Sequence, residues 1–448
     1  MDEKCAAVDV LMVSEVGLWP LDQGFKVHGS QMARALRERG LKVAVATIGA
    51  TEGDAPGWLK AMQVEWPAAS EEEVAVFKRG WEGWGRWLRE RVAWHQGAEA
   101  EKFAGVIGLV KKYRPAAVVA LGPHGPVMLR GLKHVEGVEG AARAKRIWYA
   151  ADDLVYFQLS CLRREGWRGL RRRVRTLVVY ALVERLFARG LDAAVGVSPT
   201  DTRWLKRLAG VKEAVTIRNG VDVEHYGLRG ERRGPESLVF WGRMDFEPNV
   251  DAVCWFAKAV WPEVRRMWPG ARWLIVGKNP TEAVRKLDAL AGVAVLGEVA
   301  DVRPYARSAA AVILPMRCGG GIKNKLLEAA AMGLAIVSSE RAVKGLELPG
   351  GEGPVRVCGS KGEWVKAIGE IFGDATVGRD LGQRASEWVR ARHTWGAAAR
   401  EMVELMERIG CEKVVIRTDL MEEKSQTRGA IEPKGGGSSD SACAAQAA

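Results

Sequence analysis

Residues 311–339 read AVILPMRCGGGIKNKLLEAAAMGLAIVSS, and the succession of apolar run, glycines, basic residues and second apolar run decides the fold. The run Ala311 to Leu314 has the length and composition of a buried strand, and Pro315 stops it before Gly319, Gly320 and Gly321 bring backbone close to a ligand. A helix is expected from near Ile322. Its unpaired N–H groups and dipole favour negative charge, and Lys323 and Lys325 add two ammonium groups on its first turns. A phosphate or diphosphate suits such a place. Glu328 follows Lys325 by three residues, so the two share a helix face. A carboxylate one turn below an anion site repels a second anion but accepts hydrogen bonds from the vicinal hydroxyls of a sugar, ribose above all. On spacing alone, the bland alternative of a glycine turn with a surface lysine pair and a surface glutamate stays open.

Outward from this stretch, apolar runs recur with helical stretches between them. A first series comprises Val8 to Val13, Lys42 to Thr47, Ala116 to Leu121, Arg146 to Ala151, Asp192 to Val197 and Ala214 to Ile217. A second comprises Ser237 to Trp241, Ala271 to Val276, Val293 to Leu296, Ala311 to Leu314, Ala335 to Val337 and Val355 to Val357. This alternation predicts parallel sheets with helices on both faces, and 448 residues suffice for two such α/β domains. We expect a first domain over 1–221, a linker over 222–236 with the polar stretch GERRGPE, and a second domain over 237–394. A last helix is expected from Trp395 to about Ile409, and the tail after Asp419 lacks periodicity and is expected to be disordered.

The run Glu328, Ala329, Ala330, Ala331, Met332, Gly333 resembles the E-A-x-A-x-G segment of the family-four retaining glycosyltransferases, and Asn219 to Asp222 match the N-G-V-D signature that ends their first domain. The GGGIKNKLLEA form is similar to the exopolysaccharide-type branch. The resemblance implies the GT-B fold, two doubly wound Rossmann-like domains facing each other across a cleft, with the 395–410 helix crossing back to the first. It also implies transfer of a sugar from a nucleoside-diphosphate sugar to a saccharide or lipid-linked acceptor, with the anomeric configuration retained and no metal or other cofactor. Glu328 would then hold the donor's ribose. Family members often carry a glutamate eight positions upstream that contacts the donor sugar; here that position is Gly320. A nucleotide-sugar epimerase or glycan phosphorylase on the same fold, or a binding protein without activity, are the alternatives.

In open parallel sheets ligands gather beyond the carboxyl ends of the strands. In the stretch EVGLWPLDQGFKVH from Glu15 to His28, Gly24 followed by Lys26 resembles the family's first-domain glycine loop. His124, in LGPHGP, matches a histidine that in the family hydrogen-bonds the donor sugar. Asp152 and Asp153 follow the fourth run; one should cap a helix, and the other could orient an acceptor hydroxyl. Gly242 and Arg243 resemble the family's first diphosphate contact, and a guanidinium suits bidentate phosphate binding. Where the family pattern then has a lysine, this chain has MDFEPNVDA with Asn249, leaving Lys325 to supply the charge. Glu298 and Val299 occupy a loop whose backbone contacts the base in relatives, while Asp301 reads as a cap. His124, Arg243 and Lys325 are the expected catalytic residues. Gly24, Gly242, Glu298, Val299, Gly319, Gly320, Gly321, Ile322, Lys323 and Glu328 would bind the donor.

The acidic start MDEKCAAVDVLMV carries no cationic leader ahead of an apolar stretch, so no signal peptide is expected, and no apolar run is long enough to span a bilayer. Seven scattered cysteines without a C-x-x-C pair point to reduced thiols in a cytoplasm and to no zinc site. The net charge of +12 is concentrated: residues 161–190 hold nine arginines against Glu165 and Glu184, a net of +7. There Val174, Leu177, Val178, Ala181, Leu182 and Leu186 follow one helical face behind Arg171, Arg172, Arg173 and Arg175. Such a helix suits the anionic inner face of a membrane, or is a crossover helix with a solvated cationic end. No aromatic-interleaved basic motif for nucleic acid occurs. Trp81, Trp84, Trp87 and Trp94 are spaced for one side of a single helix, as core packing or as an acceptor- or membrane-facing surface.

Overall fold

The computed structural model describes residues 7–411 apart from 22–23, 52, 84, 96, 138–143, 152, 163–166, 228–235 and 351–352. Asp152, Trp84, most of the linker and the C-terminal tail therefore lie outside the described residues.

Two parallel sheets follow one another along the chain. The first comprises β1 (Val10–Ser14), β2 (Val43–Thr47), β3 (Gln63–Val64), β4 (Ala117–Leu121), β5 (Lys145–Ala151), β6 (Ala193–Gly196) and β7 (Glu213–Thr216). The second comprises β8 (Ser237–Trp241), β9 (Arg272–Val276), β10 (Val293–Gly297), β11 (Ala311–Leu314), β12 (Ala335–Ser339) and β13 (Arg356–Cys358). Their orders are β3-β2-β1-β4-β5-β6-β7 and β10-β9-β8-β11-β12-β13. Every residue of β1, β4, β8 and β11 is buried, because helices cover both faces of these central strands. That is why they read as unbroken apolar runs. The strand order reverses between β1 and β4 in one sheet and between β8 and β11 in the other. Residues just after these four strands consequently border the two crevices where such sheets take ligands.

The Trp395–Arg408 helix, capped by the Thr394 hydroxyl, lies on the first sheet. Trp395, Ala398, Ala399, Met402 and Met406 belong to the same buried cluster as Val10, Met12 and Met32. Gly220 lets the chain pass it closely, since a Cβ there would lie 2.3 Å from Trp395 N.

The Leu154–Cys161 helix of the first half touches the second half directly. Tyr156 Oη accepts from Arg341 Nη1 at 2.9 Å, the Phe157 ring stacks on Phe246 at 6.0 Å, and Ser160 Oγ accepts from Gly319 N at 3.0 Å.

One expectation is corrected. The tryptophans do not share one helix: positive-φ Gly83 (96°) and Gly85 (87°) separate the Glu71–Arg79 helix from Arg86–His95. Trp81 is packed between Phe77 and Phe187, whereas Trp87 is 68% exposed. The basic Trp167–Phe187 helix differs from the sequence reading at one arginine of its cationic start, while part of its apolar face stays open. Val174 and Val178 are 43% and 47% exposed, and Arg173, only 6% exposed, turns inward to Glu247 of the second half at 2.6 and 2.7 Å. A guanidinium shielded from water needs such a bidentate partner.

Candidate functional site

At the second crevice, β11 leads through Pro315 into the glycine turn. Gly319 and Gly321 have φ of 103° and 62°, so the backbone stays in the turn two residues longer than expected and the helix runs Asn324–Ala331. Lys323, expected on the first turn, is instead the residue before it and folds back so that Nζ donates to Gly320 O. It closes the turn on itself.

Lys325 points the other way. Its Nζ donates to Asn249 Oδ1 at 2.7 Å and sits 4.2 Å from the centre of the Phe240 ring. Asn249 Nδ2 in turn donates to Arg243 O at 2.8 Å, so one amide ties the lysine to the turn after β8. Space for this contact comes from Gly242, at φ 144°, where a Cβ would lie 2.8 Å from both Lys325 Nζ and Asn249 Nδ2. Burial pushes the Lys325 ammonium down to about 7, against the attraction of Glu328. The Arg243 guanidinium holds Asp245 through two 2.9 Å bonds and is about a third exposed, 35%.

One turn on, Glu328 accepts from Trp241 Nε1 at 2.8 Å and from the Tyr226 hydroxyl. Burial raises its carboxyl, against the Trp241 bond and the Lys325 charge. Tyr226 lies on the Val223–Tyr226 helix just after the N-G-V-D signature. Two neighbouring groups of opposite sign are thus both pushed toward neutrality by burial, and an anion beside Lys325 would reverse that tendency for the lysine.

The first crevice faces the same helix. Gly24 opens the Gly24–Glu38 helix, and a Cβ there would lie 3.2 Å from Asn324 Nδ2. Asn219 Nδ2 donates to Asn324 Oδ1 at 2.8 Å. Two helix N-termini, one from each half, therefore converge on one spot and add their dipoles. Lys26 is buried inside its helix.

His124, just before the Gly125–Gly131 helix, is held by a residue to which the sequence reading gave no role. Its Nδ1 bonds to Glu15 Oε2, and Lys102 Nζ donates to Glu15 Oε1 at 2.5 Å. Burial alone would raise the Glu15 carboxyl, but the bonds from His124 and Lys102 outweigh it and hold it at about 2. An ionised carboxylate only accepts, so Nδ1 carries the proton, while the buried Nε2 has no hydrogen-bond partner among the described residues. In Glu15→Gln protein, ¹⁵N spectra of the ring should show the Nε2–H tautomer gaining population; an unchanged ratio would mean that Glu15 does not set the tautomer.

The remaining residues fall as follows. Asp153 is fully buried and caps the Leu154–Cys161 helix, its Oδ1 accepting from Tyr156 N at 2.6 Å. Ala151, two residues earlier, holds φ 58°, which a residue with a Cβ rarely adopts. Glu298 and Val299 lie in the loop after β10, exposed and half-buried. Asp301 accepts from Arg303 N at 2.9 Å at the start of the Arg303–Arg307 helix, whose N-cap position is Val302 and not the Asp301 that the sequence suggested. Ile322 is buried, and Gly320 packs against Tyr156 and Phe157. Among the described residues no three His, Cys, Asp or Glu side chains gather to hold a metal ion, and no helix is long and apolar enough to cross a membrane.

Residues 235–374 match the family model described as glycosyl transferases group 1. No curated protein sequence matches the chain. Among solved structures it is similar to sucrose-phosphate synthase (tll1590) from Thermosynechococcus elongatus, at 14% identity over 90% of this chain and 99% of that one, with a TM-score of 0.64. Anabaena Alr3699/HepE in complex with UDP and glucose aligns over 89% of this chain and 99% of its own, at 12% identity and a TM-score of 0.58. WaaG, a glycosyltransferase involved in lipopolysaccharide biosynthesis, aligns over the same shares at 14% identity and 0.55. At these identities the likeness speaks for the fold. The chain has the two-domain GT-B fold, and its second half carries a glycosyl transferases group 1 domain.

Proposed function

We propose that the protein transfers a sugar from a nucleoside-diphosphate sugar to a saccharide or lipid-linked acceptor, with retention at the anomeric carbon and without a metal ion, in the synthesis of a polysaccharide or other glycan. The observation that carries this reading is the pairing of Lys325 and Glu328 on the helix after the glycine turn, with Asn249 and Gly242 built around the lysine. The diphosphate would lie at the convergent helix N-termini near Lys325 and Arg243. The ribose hydroxyls would replace the Trp241 and Tyr226 donors around Glu328 or add to them. As the sugar–phosphate bond breaks, negative charge grows on the leaving diphosphate, and donors already fixed in place stabilise it without reorganisation. Arg243 must release part of its hold on Asp245 to join them. His124 would face the donor sugar. That the Anabaena relative holds UDP and glucose supports a nucleoside-diphosphate donor here. A thermal-shift screen of nucleoside diphosphates and their sugars tests the reading, because a ligand of the folded state raises the melting temperature. No stabilisation by any of them would refute it.

Lys325 also makes the affinity depend on pH. A nucleotide sugar keeps its charge between pH 6 and 9, whereas Lys325, brought down to about 7 by burial, titrates within that range. A bound diphosphate raises that value. Binding should take up a proton above pH 7, and affinity should fall from pH 7 to 9. Calorimetry in buffers of different ionisation enthalpy measures the uptake; a buffer-independent enthalpy at pH 8 would exclude it.

A lipid-linked acceptor would place the protein at the inner face of a membrane. Exposed Val174 and Val178 beside Arg171, Arg172 and Arg175 favour that location. Replacing those three arginines by glutamine should weaken binding to phosphatidylglycerol vesicles by roughly 100-fold, at about 1 kcal/mol each. Arg173→Gln should not, since it meets Glu247 instead. Equal losses from both variants would remove the membrane role.

A further inference from the structure

Two thiols meet where the halves of the molecule touch. Cys161 ends the Leu154–Cys161 helix of the first half and Cys318 precedes the glycine turn of the second; both are buried, at 0% and 1% exposure. Their neighbours fix the approach. Gly319 N donates to Ser160 Oγ at 3.0 Å, and that hydroxyl lies 3.6 Å from Cys161 Sγ. Cβ atoms at Gly320 would stand 3.5 Å from the Tyr156 ring and 3.8 Å from Phe157 Cα, so helix and turn are in van der Waals contact along this seam. Cys161 and Cys318 thus flank the Ser160–Gly319 bond from its two sides, near enough for each thiol to feel the other. The neighbouring Cys318 is the main influence drawing the Cys161 thiol below its ordinary range, against burial and aided by Ser160, while the same neighbour and burial push Cys318 up. One sulfur is therefore a nucleophile and the other its proton donor.

We propose that Cys161 and Cys318 form a peroxide-sensitive modification site that closes into a disulfide joining the two domains beside the glycine turn. The Cys161 thiolate attacks one oxygen of hydrogen peroxide, the O–O bond breaks, and hydroxide leaves with the Cys318 proton as water. Cys318 then attacks the Cys161 sulfenic sulfur; the S–S bond forms, the S–O bond breaks, and the second hydroxide takes a proton from solvent. Two sulfurs lose two electrons in all and one peroxide becomes two waters. Beside the packed rings, the domains meet along this seam through single hydrogen bonds, Gly319 N to Ser160 Oγ and Arg341 to Tyr156 Oη, the kind that separate and re-form as domains move. A covalent bond there would hold the glycine turn against the helix and stop the exchange of ligands.

The test uses the full chain, reduced, freed of reductant and treated with hydrogen peroxide. Peptide mass spectrometry should recover a Cys161–Cys318 crosslink and thiol titration should lose two groups per chain. Cys161→Ser and Cys318→Ser, made separately so that either can serve if the other folds poorly, should each abolish the crosslink, and Cys254→Ser should not. Absence of this peptide from treated wild-type protein, or its persistence in either serine variant, would overturn the site. Turnover should fall about tenfold or more and return with dithiothreitol, as expected when opening is required in each cycle; this effect alone rests on the transferase reading. A crosslink with unchanged turnover would overturn the block on exchange. A crosslink in protein that shows no turnover even when reduced would count against the transferase reading and leave the site standing.

Discussion

Lys325→Ala should lower kcat for sugar transfer by about 100- to 1000-fold, the usual cost of removing one fixed donor from a developing negative charge, or about 2 to 4 kcal/mol. The side chain is poorly placed for any other purpose. It spends burial on a charge whose pKa falls to about 7, with a neutral amide and an aromatic face as its nearest partners. Between pH 7 and 10.5 the unfolded lysine holds a proton that the folded one has lost, so native stability should rise with pH across that window. Lys325→Met should flatten this rise and should be no less stable than wild type at pH 7, even as turnover collapses. Loss of activity without loss of stability separates a charge kept for the reaction from one kept for the fold. Steady-state kinetics beside melting curves at pH 7 and 9 would show it, and a change in kcat below about fivefold would contradict the assignment.

Gly277→Ala should destabilise the second domain by about 3 to 5 kcal/mol, lowering its melting temperature by roughly 10 °C or more. Gly277 directly follows β9 with φ 150°, and a Cβ there would stand 1.7 Å from Gly242 O, a backbone atom with no rotamer in which to escape. Gly242 would have to move, and it is the residue that makes room for Lys325. The variant should therefore lose nucleotide affinity even at temperatures where it is folded. A melting temperature within about 2 °C of wild type would show that the two strand ends can separate freely.

Much of the architecture was legible because central parallel strands, buried on both faces, leave unbroken apolar runs in the chain. β3 was missed: two half-buried residues, Gln63 and Val64, carry no pattern. The helix start was placed two residues early because φ at Gly321 is a property of the turn, which composition does not record. Periodicity also misread the tryptophans, since it counts spacing without registering that one helix stops at Arg79 and that positive-φ Gly83 and Gly85 turn the chain before the next begins at Arg86. The residues of the candidate site showed best where they are neighbours in sequence, as Lys325 and Glu328 are. Glu15 and His124 are 109 positions apart, and their bond comes from β1 lying beside β4. Arg173 looked like one more surface charge because its partner Glu247 belongs to the other domain.

The return of the Trp395–Arg408 helix to the first sheet bears on how the molecule is made. On the ribosome, the strands β1 to β7 emerge long before the segment that covers Met32, Leu36 and their neighbours, whereas residues 237 to 358 form their sheet from one uninterrupted length of polypeptide. The earlier-born half must therefore wait, with an oily groove uncovered, until the whole second sheet and the Trp395–Arg408 segment after it have emerged, and in that interval it is the half most in need of a chaperone.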